Sequence, residues 1–421
     1  MKKSRIAVVS FPGNNCEVES MRAIRMSDME PLFFRWNDDR AKLSDVDGYF
    51  IPGGFSYEDR GRSGMVAGRD SLMDFIGQEA EKGKVVIGNC NGAQILVESG
   101  LIPLDKGLTM SLAKNAIEAN GGWESPGYVS EWVWIKPSCS ADRCATSDWD
   151  GVMHLPIAHG EGRFTTRDPD LFAELERHDQ LVFSYCDEEG TISHEPSVTP
   201  NGSEHAIAGI CNPAGNVVAL MPHPERTSNG KPYFDALRRW LQSKHEVATK
   251  VTLAPVLPFG ELPTRRARHQ GVEIFIDTII VNNEERTVEQ TANRIEPSLK
   301  LKQWKYLSLP TGSSSVALDN LTIFNPHKER AFIRERGTMH RWNHEKKAQE
   351  PLSPDQVSKI FTGTALLRRD IPDTGAAALG HGSETGICYV CSGIDDSALL
   401  KRPLLEVFAN PHASVLERLT L

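Results

Sequence analysis

Residues 84–96, Lys-Val-Val-Ile-Gly-Asn-Cys-Asn-Gly-Ala-Gln-Ile-Leu, carry a buried-strand pattern straight into a helical one with no loop between them. A strand-to-helix turn this sharp needs small residues two before and two after its apex, and Gly88 and Gly92 flank Cys90 at that spacing. Such a turn lifts the apical thiol clear of the sheet. It also sets the thiol at a helix start, where unpaired N–H groups favour an anionic nucleophile. The competing reading is a structural cysteine, since free cysteines are commonly buried. A core strand gains nothing from two glycines, which weaken regular structure. The feature commits the surrounding chain to an α/β architecture, whose strand-end loops carry chemistry.

A second strand pattern, Val217 to Met221, ends in Pro222-His223-Pro224-Glu225. Each proline pushes the residue before it toward extended geometry, and residues two apart on an extended chain share a face. His223 and Glu225 thereby supply a base and its orienting carboxylate, and with Cys90 they form a candidate Cys-His-Glu triad. Amide cleavage also needs donors for the developing oxyanion. The strand ending Ile51-Pro52-Gly53-Gly54 offers the Gly54 N–H, with the Asn91 N–H as second donor, although a plain Gly-rich turn reads equally well there.

The chain has 421 residues, more than one hydrophobic core usually serves. Residues 1–243 alternate apolar strand patterns with helical stretches around 16–28, 68–83 and 91–100, closed by a helix over Tyr233 to Ser243. Residues 244–271 are proline-rich and read as a linker. From 272 to 421 two strand-helix-strand patterns, near 272–309 and 386–419, predict a smaller ferredoxin-like α+β domain. The stretch 311–381 between them resists assignment.

A formal charge of −9 argues against a nucleic-acid partner, because phosphate-backbone binders carry a basic face. No stretch approaches the ~20 apolar residues that cross a bilayer, and Ile6–Ser10 reads as a first strand rather than a leader. The eight cysteines, without a secretory leader, fit reduced thiols in the cytoplasm. Cys388 and Cys391 form a C-x-x-C inside an apolar strand pattern, with no second ligand pair near, and Cys139 and Cys144 sit in a polar loop; neither pair predicts a metal.

These motifs resemble the triad (class I) glutamine amidotransferases, and among them the glutaminase subunits of phosphoribosylformylglycinamidine synthase. The resemblance spans residues 4 to 243. It rests on FPGNNCE from Phe11, PGGFSYEDRGRSG from Pro52, GNCNGAQIL around Cys90, LPIAHGEGRF from Leu155, AIAGICNPAGNV from Ala206 and MPHPER from Met221. It implies a flavodoxin-like domain with a mostly parallel sheet, Cys90 as nucleophile, His223 as general base and acid, and Glu225 as its orienting partner. Gln94 on the elbow helix and His159, Gly160 and Glu161, in a loop reaching Arg163, are implied as glutamine-binding. The resemblance further implies that no cofactor is held by this chain. Ammonia passes to a separate synthetase that uses ATP and Mg²⁺; this chain itself lacks a phosphate-gripping G-x-x-x-x-G-K-[ST].

Ala93 departs from the aromatic residue frequent in the family. The last ~150 residues depart more, and LLEVFANPHASVLERL within them resembles the end of the family's small bridging subunit, with an unrelated docking domain as the alternative. Two other functions remain in view at this level: a different triad amidotransferase or cysteine hydrolase, against which FPGNNCE and PIAHGEGR count, and a non-catalytic scaffold, which would not need all three triad residues.

Overall fold

Segments of four to nine residues, the first of them spaced by helical segments, become the strands of one nine-stranded sheet. In a computed structural model, which describes residues 3–105, 107–119, 121–243, 262–266 and 271–420, the chain forms two units, Met1–Asn120 with Ser125–Pro258 and Gly121–Glu124 with Phe259–Leu421. The sheet of the first unit contains β1 (Arg5–Ser10), β2 (Glu30–Arg35), β3 (Gly48–Ile51), β4 (Val85–Asn89), β5 (Val129–Pro137), β6 (Met153–His159), β7 (Leu181–Cys186), β8 (Ile207–Cys211) and β9 (Val217–Leu220). They lie in the order β2-β1-β3-β4-β9-β8-β7-β5-β6.

Every residue of β3, β4 and β9 is buried, as expected where both faces of a sheet are covered. Alternate side chains feed two cores. Ala7, Val9, Ile51 and Val86 meet Leu72, Ile76, Ile95 and Leu96 on one face. Those partners come from α2 (Ser71–Glu81) and α3 (Asn91–Glu98), which follow α1 (Glu17–Met26) in the chain. Ile6, Val8, Phe50 and Ile87 meet Ile24 of α1 and Phe234 and Leu237 from the closing helix on the other face. Burying each of the Val, Ile, Leu and Phe side chains among them contributes about 1.5–3 kcal/mol.

The expected parallel pairing holds across β2, β1, β3, β4 and β9, the half that carries the elbow. The remaining four strands are antiparallel. The cause is visible at residues 212–216, a five-residue turn between β8 and β9 in which Gly215 has φ +76°. So short a connection can join only antiparallel neighbours.

The second unit holds another nine-stranded sheet: β10 (Thr264–Arg265), β11 (Val272–Thr278), β12 (Lys300–Leu309), β13 (Glu329–Glu335), β14 (Thr338–Asn343), β15 (Ala348–Pro351), β16 (Thr364–Asp370), β17 (Glu384–Ser392) and β18 (Ser414–Leu419), ordered β10-β18-β16-β17-β12-β11-β13-β14-β15. The linker reading over 244–271 falls mostly outside the described residues, and within it β10 pairs with β18. The C-terminal strand-helix-strand is a split unit: β17 and β18 both run antiparallel to β16, which lies between them.

The first strand-helix-strand differs from that expectation, because β11 and β12 are adjacent and antiparallel. Its helix (Asn283–Ala292) supplies the reason. The early part of β12 extends past β11, and the Leu301 and Gln303 N–H groups donate to Glu289 and Glu285 of the helix at 2.7 and 2.8 Å. Helix carboxylates replace the missing strand, so the backbone donors are satisfied without a crossover.

Candidate active site

The elbow forms as its glycines require. A Cβ on Gly88 would stand 2.5 Å from the Gly92 carbonyl oxygen, and one on Gly92 would stand 2.0 Å from that of Ile51. Cys90 itself has φ +50° and ψ −109°, a conformation costly for a residue with a Cβ and tolerated where the surroundings enforce it. Its N–H donates to Leu220 O of β9 at 2.8 Å, which ties the apex to the strand that delivers His223. The thiol sits 3.7 Å from Ala158 O and is 3% exposed.

His223 and Glu225 do not lie on an extended chain as the sequence suggested. Pro224–Arg226 form a 3₁₀ turn, in which the proline ring fixes the first helical φ. The turn brings the pair together all the same, with His223 Nδ1 2.6 Å from Glu225 Oε1 and both side chains buried. Glu225 Oε2 accepts from Asn89 Nδ2 at 3.1 Å, and Asn89 Oδ1 accepts from the Tyr233 hydroxyl at 3.2 Å. Burial alone would push His223 down, but the negative charges offered by Cys90 and Glu225 outweigh it and hold the imidazole well above its ordinary value. Burial would likewise raise Glu225, yet the His223 charge and its hydrogen bonds keep it low. His223 Nε2 is buried and, among the described residues, makes no hydrogen bond, while the nearby Cys90 is one of the charges that favour the imidazolium.

Cys16, His223 and Glu225 offer donor atoms within 4.8 Å of one another. Two donors about 2.0–2.1 Å from a tetrahedral zinc stand roughly 3.3 Å apart. The 2.6 Å His–Glu separation is that of a hydrogen bond carrying a shared proton, and the arrangement is read as such.

The remaining expected residues fall around this centre with uneven roles. Gly54 has φ +142° and packs so closely on Asn14 that a Cβ would be 2.5 Å from its Cα. Asn91 begins α3, so its N–H is one of the helix's unpaired donors. Gln94 is engaged within the protein: its Oε1 accepts from Asn91 Nδ2 at 2.9 Å and its Nε2 donates to Glu161 O. It fastens the elbow helix to the strand Glu161–Thr165, which, with the preceding strand ending at His159, takes the place of the expected loop. Glu161 Oε2 accepts from the Ser63 N–H at 3.0 Å. His159 is 2% exposed, and burial with the nearby His223 pushes it down to about 3, so it is neutral. Gly160 is open toward Tyr128, whose ring lies 3.9 Å from where a Cβ would stand. Cys388 and Cys391 lie three apart on β17, hence on opposite faces.

Sequence reasoning missed Asn89, Tyr233 and Asp59. Asn89 stands between Gly88 and Cys90 in the motif with no role assigned to it, and Tyr233 only as part of a helix. Asp59 accepts from Asn91 Nδ2 at 3.4 Å, and burial together with the Glu161 charge pushes it up to about 7.

A family model described as CobB/CobQ-like glutamine amidotransferase domain matches residues 3–244. The phosphoribosylformylglycinamidine synthase subunit PurQ of Methanothrix thermoacetophila is 40% identical over 259 residues, covering 57% of this chain and 99% of the relative. That of Pyrococcus furiosus is 36% identical over 247 residues, covering 57% and 99%. Among solved structures, one described as the structure of PurLQS from Thermotoga maritima includes a chain 31% identical, covering 57% of this chain and all of that one, with a TM-score of 0.45. No helix among the described residues is long and apolar enough to cross a membrane.

Proposed function

The chain belongs to the CobB/CobQ-like glutamine amidotransferase family, and on that premise we propose that Cys90, His223 and Glu225 are its catalytic triad. It is the glutaminase component of phosphoribosylformylglycinamidine synthase, acting in purine biosynthesis, as its PurQ relatives are named. The observation that supports the triad most is a thiol on a positive-φ elbow close enough to an imidazole for its charge to favour the imidazolium, with the imidazole Nδ1 held 2.6 Å from a buried carboxylate.

In the proposed reaction His223 Nε2 takes the Cys90 proton and the thiolate attacks the carboxamide carbon of glutamine. The oxyanion accepts from the Gly54 and Asn91 N–H groups. The imidazolium then protonates the leaving nitrogen, ammonia departs and a γ-glutamyl thioester remains. Water, deprotonated by His223, releases glutamate and restores the thiol. Neutral His159, Gly160, Glu161 and Gln94 border the glutamine site, Gln94 being bonded to Asn91 and to the Glu161 carbonyl. The ammonia goes to a synthetase chain that spends ATP with Mg²⁺ to turn formylglycinamide ribonucleotide into its amidine, in the cytoplasm. Residues 1–243 form the glutaminase domain, 244–271 the linker, and 272–421 a fused counterpart of the small bridging subunit. The helix Arg402–Phe408, the turn at Asn410-Pro411 and β18 support that last assignment.

The test is glutamine hydrolysis by wild type and Cys90→Ser, alone and with synthetase, ATP and formylglycinamide ribonucleotide. Amidine from glutamine with wild type, but only from added ammonia with the variant, is the expected result. Undiminished hydrolysis by the variant refutes the nucleophile assignment.

A further inference from the structure

The FPGNN segment, residues 11–15, supplies none of the triad, yet it is bonded to the proposed oxyanion loop through a side chain as well as through the backbone. Asn14 is the centre of those contacts. Its Oδ1 accepts from the Phe11 N–H at 2.7 Å, which fixes the amide's orientation, since the other end must then be the donor. Its Nδ2 faces three acceptors: Pro52 O at 3.2 Å, Gly53 O at 3.4 Å and Asn91 Oδ1 at 3.3 Å. The same Gly53 oxygen also accepts from the Asn15 and Cys16 N–H groups at 3.2 and 3.3 Å. Farther along, Phe55 N donates to Gly13 O and Tyr57 N to Pro12 O, at 2.9 and 2.6 Å.

Gly53 C=O and Gly54 N–H belong to one planar trans peptide and point in opposite directions. Pinning the carbonyl on the FPGNN side therefore aims the Gly54 N–H away from it. Donors on the oxygen also polarise the unit and strengthen its N–H as a donor. Asn91 Oδ1, which accepts from Asn14 and from Ser56 N at 3.0 Å, ties the second donor residue to the same frame.

We infer that Asn14 is a positioning residue, which sets the direction of the Gly54 N–H and locks the Gly53-Gly54 peptide to Asn91 at the elbow. The inference rests on the proposed glutaminase reaction. The Asn14 side chain bonds to Phe11, Pro52, Gly53 and Asn91 rather than to the triad, and acts through the oxyanion donors.

Asn14→Asp keeps the acceptor for Phe11 and loses all three donated bonds, and Asn14→Leu removes them without adding charge. Both variants are expected to lose about tenfold in glutamine kcat, less than the ~10²–10³ lost with an oxyanion donor itself. KM should stay within about twofold. Alkylation of Cys90 by iodoacetamide, followed by peptide mass mapping, needs the thiolate but no oxyanion donor, so Asn14→Leu should match wild type in rate. Turnover within about twofold of wild type in both variants overturns the inference, and so does a loss matched by equally slowed alkylation or by a raised KM. Failure of the underlying reaction is told apart by Cys90→Ser, which would then keep its turnover whatever stands at position 14.

Discussion

Glu225→Gln separates the charge of the triad carboxylate from its shape. The substitution keeps volume and both heavy atoms, but one oxygen becomes an amide donor. Asn89 decides which. Its Nδ2 points at Oε2 from 3.1 Å, so the new amide must turn its oxygen to Asn89 and its NH₂ to His223 Nδ1. That forces Nδ1 to accept, places the single ring proton on Nε2 and leaves no lone pair for the Cys90 thiol. Loss of the ionised hydrogen bond costs about 1.5–3 kcal/mol, and the reversed tautomer adds to it. A total of ~4 kcal/mol corresponds to roughly a 10³-fold loss of kcat. Steady-state glutaminase assays on Glu225→Gln measure this directly. The same reasoning predicts that Asn89→Asp, added to Glu225→Gln, recovers part of the loss, because an acceptor at 89 turns the amide back. Activity within about threefold of wild type for the single variant, or no recovery in the double, would refute the tautomer argument.

Other consequences are as specific. Gly92→Ala, whose Cβ would meet Ile51 O at 2.0 Å, should lower stability by at least about 1–3 kcal/mol in denaturant melts. Asp59, pushed up to about 7, holds a proton in the folded state that the unfolded chain has released. Stability should therefore fall as pH rises from about 4 to 7, by on the order of 1–2 kcal/mol once partial exposure is allowed for, and Asp59→Asn should abolish that slope in melts across the range. In the second unit, Glu273 is buried between Arg334 Nε at 2.7 Å and the Tyr306 hydroxyl at 2.6 Å. Arg334→Ala strands its charge and should cost about 3–5 kcal/mol, whereas Arg334→Ala with Glu273→Leu should cost less.

The elbow was legible because its constraint is local: Gly88, Cys90 and Gly92 must be adjacent in sequence for the turn to close. The parallel strands were legible for a similar reason, since burial on both faces leaves unbroken apolar runs such as Val85-Val86-Ile87. The Asn89–Tyr233 support was not legible, because its partners are 144 residues apart and neither residue type marks a site alone. The FPGNN segment marked a family without revealing a task; its contacts to Gly53 and Asn91, through the Asn14 amide and the backbone, do that. The 311–381 stretch was opaque because β14 and β15 lie at the sheet's edge with many half-exposed residues, so their alternation is weak. The pairing of β11 with β12 depended on Glu285 and Glu289 reaching strand N–H groups, which no periodicity announces.

Two thiols approach His223, Cys90 from the elbow and Cys16 at 4.0 Å from Nδ1. The most direct test of the account is acid quenching during glutamine turnover, then mass mapping of the glutamyl adduct. A thioester on the peptide bearing Cys90, absent from Cys90→Ser and retained in Cys16→Ser, is the predicted result. An adduct on Cys16, or continued turnover by Cys90→Ser, would contradict it.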